Sequence, residues 1–231
     1  MSKVIVVTGA AGTLGRAVAQ RFASEGASLA LLDVNDAALA SAYGEGDEKR
    51  LLLGADLKND ASVSRAVSAT LERFGRIDGL CNIAGGFDMG PAVHETTDAL
   101  WNSMMDINVR TLLGVVRAVV PAMLKNGKGQ IVNVGAGGAL VGRPNMGAYC
   151  ASKAAVVRLT ESMSAELREK GIRVNCVLPS IIDTPPNRAA MPDADPKRWV
   201  APADLAQVIA FLCSDGANPI HGAAIPVNGM M

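Results

Sequence analysis

Short apolar runs alternate with longer helical patterns along the whole chain, and this alternation constrains the fold more than any other feature. The runs VIVV, LALL and RVNCVL are mostly apolar. A strand of this composition is typical of a parallel sheet that is buried on both faces. We therefore predict an α/β fold with right-handed βαβ units, namely a single doubly wound (Rossmann) domain with about seven parallel strands flanked by helices.

The pattern also predicts where the elements lie. Strands are expected near residues 3–8, 28–33, 50–55, 77–82, 130–134, 173–178 and 224–227, and helices near 14–24, 61–74, 111–125, 148–170 and 202–214. One irregular segment, residues 179–202, is dense in Pro and Asp. A loop this long inside a compact domain usually serves function, so we predict a substrate lid, with a plain surface excursion as the alternative. Residues 1–231 would form one domain.

Composition excludes several classes of function. Lys plus Arg and Asp plus Glu both number 22, so no global field favours nucleic acid or an anionic membrane. The N-terminus shows no cleavable signal region, and no long uncharged apolar stretch indicates a membrane span, so we expect a cytoplasmic protein. The two histidines, His94 and His221, have no ligand-like neighbours, and no metal site is expected. The four cysteines are widely spaced, which favours buried reduced thiols: Cys81, Cys150, Cys176 and Cys213.

The first predicted strand runs straight into the glycine-rich turn TGAAGTLG, and a helical pattern follows at once. Glycines allow a tight turn and a close approach of a ligand to the backbone. The start of the next helix offers free N–H groups and a positive dipole end to a pyrophosphate. The turn thus predicts dinucleotide binding by Gly9, Gly12, Thr13, Leu14 and Gly15.

Asp33 ends the second predicted strand, at the position where a carboxylate contacts the adenosine ribose. A carboxylate there accepts hydrogen bonds from the ribose hydroxyls and repels a 2′-phosphate. The next three residues, Val34, Asn35 and Asp36, provide no cation for such a phosphate. We therefore predict NAD as the cofactor in preference to NADP, with a helix-capping role for Asp33 as the alternative.

Tyr149 and Lys153 lie four residues apart near the start of a predicted helix, so they share one helical face. An ammonium group beside a phenol favours the phenolate, and we expect it to lower the pKa of the tyrosine. The tyrosine then exchanges a proton with a reacting oxygen or nitrogen. An exposed helix pair is the alternative, because the Y-x-x-x-K spacing alone is common.

Taken together, these motifs resemble the short-chain dehydrogenase/reductase family from end to end. The family's order and spacing also recur in ADL at residues 55–57, NIAG at 82–85, Asn108 and PSIIDT at 179–184. The resemblance implies an NAD(P)-dependent oxidoreductase whose catalytic residues are Tyr149, Lys153 and Asn108, with Asn108 holding a water of the proton relay. It further implies cofactor contacts from Asp56, Leu57, Asn82, Ala84, Gly85, Tyr149, Lys153, Pro179, Ile182 and Thr184.

One departure from the family pattern bears on the substrate. The family's catalytic serine lies 13 residues before the tyrosine, and this chain has Ala136 there. The dihydropteridine reductase subgroup of the family also lacks this serine. Two stretches of the chain resemble that subgroup, namely the cysteine–AGG–aromatic run at 81–87 and the segment from Asp183 to Trp199. That subgroup reduces an electron-poor ring, which has less need of a hydrogen-bond donor on its oxygen. Ser180, and less so Ser152, are candidates to replace the serine.

Three hypotheses follow from this pattern. The first is an NADH-dependent reductase that transfers hydride to a conjugated acceptor, such as a quinonoid pterin, a quinone or an activated carbonyl or imine. The second is an ordinary alcohol dehydrogenase or ketoreductase in which Ser180 or a backbone N–H near Ala136 replaces the serine. The third is a non-catalytic NAD-binding protein. By resemblance, the partners are a small-molecule substrate and further copies of the chain, in a homodimer or homotetramer.

Overall fold

The computed structural model of the protein describes residues 2–231. Seven parallel strands form one sheet in the order β3-β2-β1-β4-β5-β6-β7, and helices cover both faces. The strand order reverses between β1 and β4, because β2 and β3 lie on one side of β1 and all later strands lie on the other. The predicted doubly wound fold with about seven strands is confirmed.

The elements have the following bounds. The strands are β1 (Val4–Thr8), β2 (Ser28–Asp33), β3 (Arg50–Gly54), β4 (Gly79–Asn82), β5 (Gly129–Val134), β6 (Ile172–Pro179) and β7 (Ala224–Val227). The helices are α1 (Thr13–Ser24), α2 (Asp36–Tyr43), α3 (Asp60–Phe74), α4 (Asp98–Met105), α5 (Thr111–Asn126), α6 (Gly147–Leu167), α7 (Pro185–Ala190) and α8 (Pro202–Leu212). A π-helical turn, Asp106–Arg110, joins α4 to α5 without a break.

Alternate residues of the central strands pack into two separate cores. On β1, Val6 faces a core covered by α3, α5 and α6, whereas Ile5 and Val7 face a core covered by α1 and α8. Side chains of consecutive strand residues point to opposite faces, so a run of apolar residues buries both sides of the sheet. This two-sided burial fixes the carboxyl ends of the strands along one edge of the sheet. The polar residues of the site lie at that edge.

The sequence pattern missed three helices. Helices α2 and α4 each bury one residue, Leu39 and Met104, so their apolar periodicity is weak. Helix α7 lies inside the segment that the sequence analysis took as irregular, and a 3₁₀ turn, Pro196–Arg198, follows it. The expectation of an irregular segment over 179–202 is therefore right only in part: Pro179 ends β6 and Pro202 begins α8, and between them α7 and the 3₁₀ turn are regular whereas the residues around them are not.

The continuous helical run Asp98–Asn126 is long and apolar enough, by length and composition alone, to cross a membrane. Its most apolar window is 44% buried within the fold. Leu112, Val115, Val119 and Met123 of this run belong to the core on one sheet face. A buried core helix passes the same test of length and composition, and the packing of these side chains accounts for the apolar character of the run.

Candidate functional site

A cleft of about 930 Å³ opens at the carboxyl edge of the sheet, where the strand order reverses between β1 and β4. In open α/β sheets ligands bind at this position. The structure brings eleven of the predicted cofactor residues to the walls of this cleft: Gly9, Gly12, Thr13, Leu14, Gly15, Asp33, Asp56, Leu57, Ala84, Gly85 and Thr184. Residues far apart in the sequence thus converge on one site of dinucleotide size.

The glycine turn between β1 and α1 has no room for side chains. Gly9 has φ of +61°, and a Cβ atom there would lie 2.9 Å from the Cα of Ala84 on the neighbouring strand end. A Cβ at Gly15 would overlap the carbonyl oxygen of Gly9. Helix α1 begins directly after this turn, and its first turn has neither a side-chain cap nor an acidic residue. The cradle therefore fits a pyrophosphate, which the free N–H groups would bind.

Hydrogen bonds from two sides hold the turn in place. The Ala11 N–H donates to Oδ2 of Asp33 over 3.0 Å, and the Tyr43 hydroxyl donates to the Ala10 carbonyl over 2.7 Å. Burial raises the pKa of Tyr43 to about 12, so this hydroxyl keeps its proton at neutral pH. Asp33 thus positions the turn as well as facing the cleft. Tyr43 was missed by the sequence analysis because it lies on α2, which the periodicity did not show.

The loop after β3 forms another wall of the cleft. Asp56 is exposed, and its Oδ1 accepts a hydrogen bond from the Lys58 N–H over 3.0 Å. Lys58 also lines the cleft, which places a cation near the two acidic residues Asp33 and Asp56. The residues directly after Asp33 gave no indication of this cation, because Lys58 belongs to the connection between β3 and α3.

The predicted cofactor residues at the end of β4 separate into two groups. The Thr8 hydroxyl accepts hydrogen bonds from the Ile83 and Ala84 N–H groups over 3.0 and 3.1 Å, which ties this loop to the end of β1. Asn82 is buried instead, and its Nδ2 donates to Oδ1 of Asn133 over 2.8 Å. Asn82 therefore lies behind the cleft rather than in its wall.

Asn108 lies in the π-helical turn, with its side chain fully engaged. It donates from Nδ2 to the Gly86 carbonyl and to the Ser152 hydroxyl over 3.0 and 3.1 Å, and its Oδ1 accepts from the Gly86 N–H over 3.0 Å. The insertion of a π turn in a helix often marks a functional position. Here it fixes the loop after β4 against the start of α6.

Tyr149 and Lys153 lie on α6 at the predicted spacing, but their ionisation differs from the prediction. Burial raises the pKa of Tyr149 to about 12 and lowers the pKa of Lys153 to about 8. The Lys153 ammonium donates to the Val134 carbonyl over 3.0 Å. The expected lowering of the tyrosine pKa by the lysine is therefore wrong for this structure, because the desolvation of the phenol dominates.

Three predicted residues meet at Gly85. A Cβ atom on Gly85 would lie 2.8 Å from Oδ1 of Asn108 and 3.2 Å from Nζ of Lys153. The catalytic candidates on the π turn and on α6 therefore border the loop that lines the cofactor cleft. Only a glycine leaves this junction free of a side chain.

Ala136 is 7% exposed and has an extended backbone, and as an alanine it offers no hydroxyl. Neither serine candidate is free to replace it. The Ser152 hydroxyl is fully buried and donates to the Tyr149 carbonyl over 2.8 Å. The Ser180 hydroxyl donates to the Asn228 carbonyl over 2.8 Å. Both hydroxyl protons are thus already used in the fold.

The segment between β6 and α8 is fastened at its base. Ile182 pairs with Val200, and the Asp183 N–H donates to the Val200 carbonyl over 2.9 Å. Thr184 caps α7 and also lines the cleft. Of the remaining predicted residues, Pro179 and Ile182 lie at the start of this segment and outside the cleft wall. Paired residues therefore hold the ends of the segment, with α7 between them.

The parallel sheet, the glycine cradle at the point of strand reversal and the Tyr149/Lys153 helix define a dinucleotide-dependent oxidoreductase. Residues 3–195 match the family model described as short chain dehydrogenase. The chain therefore belongs to the short-chain dehydrogenase/reductase family and is an NAD(P)-dependent dehydrogenase/reductase.

Individual relatives cover the chain almost completely. Levodione reductase from Leifsonia aquatica is 34% identical over 98% of this chain and 93% of that protein. The 2-(S)-hydroxypropyl-CoM dehydrogenase 3 of Xanthobacter autotrophicus is 34% identical over 100% of this chain and 96% of that protein. The structure of 3-ketoacyl-(acyl-carrier-protein) reductase from Brucella melitensis complexed with NADH has a TM-score of 0.88 and 33% identity, covering 98% of this chain and 97% of that one.

Proposed function

We propose that this protein is an NAD-preferring reductase of a conjugated, easily reduced acceptor, such as a quinone, a quinonoid pterin or an activated carbonyl or imine. The observation that carries the proposal is Ala136, which stands where the family has a catalytic serine. The cofactor cradle and the Tyr149/Lys153 pair are otherwise complete.

The cleft residues have distinct roles in this proposal. The N–H groups of Thr13 and Leu14 at the start of α1 bind the pyrophosphate, Asp33 and Asp56 contact the adenosine, and Thr184 contacts the nicotinamide end. When bound, the nicotinamide cofactor supplies the hydride. Every other task belongs to the protein, which must orient the acceptor, exclude water and deliver a proton.

Tyr149 is the proton donor in this scheme. Burial raises its pKa to about 12, so the hydroxyl carries a proton at neutral pH that it can donate to the acceptor. Lys153 carries a positive charge below about pH 8 and, by the family resemblance, would contact the nicotinamide ribose. Asn108 holds the π turn against Gly86 and Ser152, and through them fixes the start of α6.

The missing serine decides between acceptor classes. A positioned donor to a developing oxyanion contributes on the order of 10²–10³ in rate when the reaction depends on it. A plain ketone depends on such a donor, because its oxygen takes up the full negative charge. A conjugated acceptor spreads this charge over a ring and loses less. The chain therefore favours the second kind of substrate.

The likeness to the dihydropteridine reductase subgroup supports the same substrate class, although none of the relatives named above is a member of it. An ordinary alcohol dehydrogenase or ketoreductase remains the second candidate. The names of the relatives favour it, since levodione reductase and the hydroxypropyl-CoM dehydrogenase act on ketone or alcohol groups. Because the Ser152 and Ser180 hydroxyls are engaged, a backbone N–H near Ala136 would then have to serve as the donor.

The remaining parts of the proposal concern the setting of the site. The segment 179–202, with α7 at its centre, is proposed as a lid over the substrate in the single domain of residues 1–231. We expect a homodimer or homotetramer, as is usual in the family, located in the cytoplasm.

The cofactor preference gives the first test. With menadione (a quinone) as acceptor, NADH is expected to support kcat/KM about 10- to 100-fold higher than NADPH, because a 2′-phosphate would approach the Asp33 carboxylate. The Asp33→Asn variant keeps an oxygen to accept from the Ala11 N–H. It should lower the ratio of the kcat/KM with NADH to the kcat/KM with NADPH. Faster turnover with NADPH in the native protein would refute the cofactor choice, and no oxidation of either cofactor would refute the reductase.

The pH profile tests the role of Lys153. The kcat/KM for NADH at saturating menadione is expected to stay level up to pH 8 and to fall above it, as the buried ammonium loses its proton. Unfolding does not explain such a fall. The unfolded chain holds this proton to about 10.5 and the folded chain releases it near 8, so the contribution of Lys153 to stability rises with pH in between. A profile that stays flat to pH 10 would contradict the assigned pKa.

A further inference from the structure

Phe87 and Tyr149 form the one aromatic pair found within residues 2–231. Their ring centroids lie 4.9 Å apart and the rings meet edge to face at 86°. Phe87 belongs to the loop that follows β4, two residues after the cleft residue Gly85. In a chain with only eight aromatic residues, an aromatic side chain in contact with the proton donor stands out.

Phe87 nevertheless remains 55% exposed. Four further large apolar side chains on the loops after β4 and β5 are each more than half exposed. With Phe87 they form what we call the apolar rim: Phe87, Met89, Val93, Leu140 and Val141. Single exposed apolar side chains are normal on a monomer, whereas several of them on loops beside a candidate site indicate a binding surface.

Contacts between the two loops bring the rim to Tyr149. The Gly90 N–H donates to the Asn145 carbonyl over 2.8 Å. A Cβ atom on Gly147, two residues before Tyr149, would lie 2.8 Å from a methyl group of Val93. The apolar rim therefore continues the surface that surrounds the proton donor.

Charged groups contribute little to this surface. The charged side chains of the two loops, Asp88, His94, Glu95 and Arg143, are exposed to solvent. The pKa of Tyr149 is raised by burial and by Cys150, without a contribution from any of these four. A charged or sugar-like acceptor would find no buried partner here, whereas a flat apolar ring would find aromatic and aliphatic contacts.

We propose that Phe87 is the specificity-determining wall of the acceptor subsite and stacks on a planar, uncharged, largely apolar ring such as that of a quinone. This inference rests on the proposed function and narrows its substrate class. A ring stacked on Phe87 would lie next to Tyr149, since the two side chains are in contact, and its reacting oxygen is the one that would take the proton of the Tyr149 hydroxyl. Stacking on Phe87 then also excludes water from that oxygen.

Binding of menadione to the complex of the protein with NAD⁺ tests the inference, since this oxidised pair cannot react. We expect Phe87→Ala to weaken menadione binding about tenfold in equilibrium dialysis, through the loss of stacking and of apolar contact. Phe87→Tyr should retain the affinity. Phe211→Ala is the matched control, because Phe211 is 48% exposed on α8, away from the apolar rim, and its loss should leave menadione binding unchanged.

Two further measurements distinguish a change of substrate specificity from general damage to the protein. The affinity for NADH should stay within about twofold in Phe87→Ala, and the kcat/KM for 2,3-butanedione, a small activated dicarbonyl, should fall much less than that for menadione, because butanedione has no ring to stack on Phe87. Equal losses on menadione and butanedione, or unchanged menadione affinity, would overturn the inference. A native protein that binds menadione through Phe87 but oxidises no NADH would instead refute the proposed function and leave the Phe87 subsite intact.

Discussion

Ala136→Ser is expected to raise the kcat/KM for a plain aryl ketone, acetophenone, by about 10²-fold with NADH as cofactor. The serine hydroxyl would restore a donor for the oxygen that becomes negative during reduction. The backbone at Ala136 is extended, a conformation that serine adopts without strain. The same change should alter the kcat/KM for menadione far less, because the ring already delocalises the charge. The measurement is initial-rate NADH oxidation with each acceptor.

Gly142→Ser provides the control for this gain. Gly142 lies, like Ala136, in the connection between β5 and α6. A Cβ atom on Gly142 meets no other atom within 4 Å, so the variant adds a hydroxyl there without disturbing the packing. Its kinetics should match the native protein with both acceptors. If Ala136→Ser failed to improve ketone reduction while folding normally, the serine would not be the missing element, and a backbone donor would explain the site better.

Tyr149→Phe is expected to reduce kcat for menadione reduction by about 10²- to 10⁴-fold, the usual contribution of a positioned proton donor. The ring and its contact with Phe87 remain in this variant, and only the hydroxyl is lost. NADH binding, followed by fluorescence titration, should therefore persist. The separation of intact binding from lost turnover would identify a chemical role for the hydroxyl rather than a structural one.

The chain offers a matched comparison in its only other tyrosine. Tyr43→Phe removes the hydroxyl that donates to the Ala10 carbonyl, and a lost hydrogen bond of about 1 kcal/mol corresponds to about fivefold weaker NADH binding. Its kcat at saturating NADH should change little. If Tyr149→Phe and Tyr43→Phe behaved alike, or if Tyr149→Phe kept full turnover of every conjugated acceptor, Tyr149 would not be the proton donor.

The strands and the cofactor cradle were predictable from sequence because each depends on local pattern. The seven apolar runs are long enough to identify buried parallel strands, and the glycine turn has a strand before it and a helix after it. Topology then follows, since right-handed crossovers bring the ends of β1 and β4 together. The convergence of Asp33, Asp56 and Ala84 on one cleft is a consequence of that topology.

The three missed helices show the limits of periodicity. Helix α2 buries only Leu39, and α4 buries only Met104, so neither presents a continuous apolar stripe. In α7 the prolines that suggested an irregular loop occupy the first helical positions, where a missing N–H costs nothing. The Thr184 side chain supplies the N-cap.

Tertiary contacts decide the features of the site that the sequence did not show. The spacing of Tyr149 and Lys153 indicated a shared face, but burial raises the pKa of the tyrosine and lowers that of the lysine. The Lys153 ammonium donates to the Val134 carbonyl, a contact that the spacing does not show. The Tyr43 contact with the glycine turn and the Phe87 contact with Tyr149 join residues from different elements. Neither contact can be recognised from a local sequence pattern.

We propose that Ala136 marks a change of acceptor class within the family. The ratio of kcat/KM for menadione to kcat/KM for acetophenone, measured with the native protein and NADH, tests this proposal. We expect a ratio of at least about 10², because only the ketone depends on the donor that Ala136 lacks. A ratio near one, with rapid ketone turnover, would contradict the claim and identify an ordinary ketoreductase.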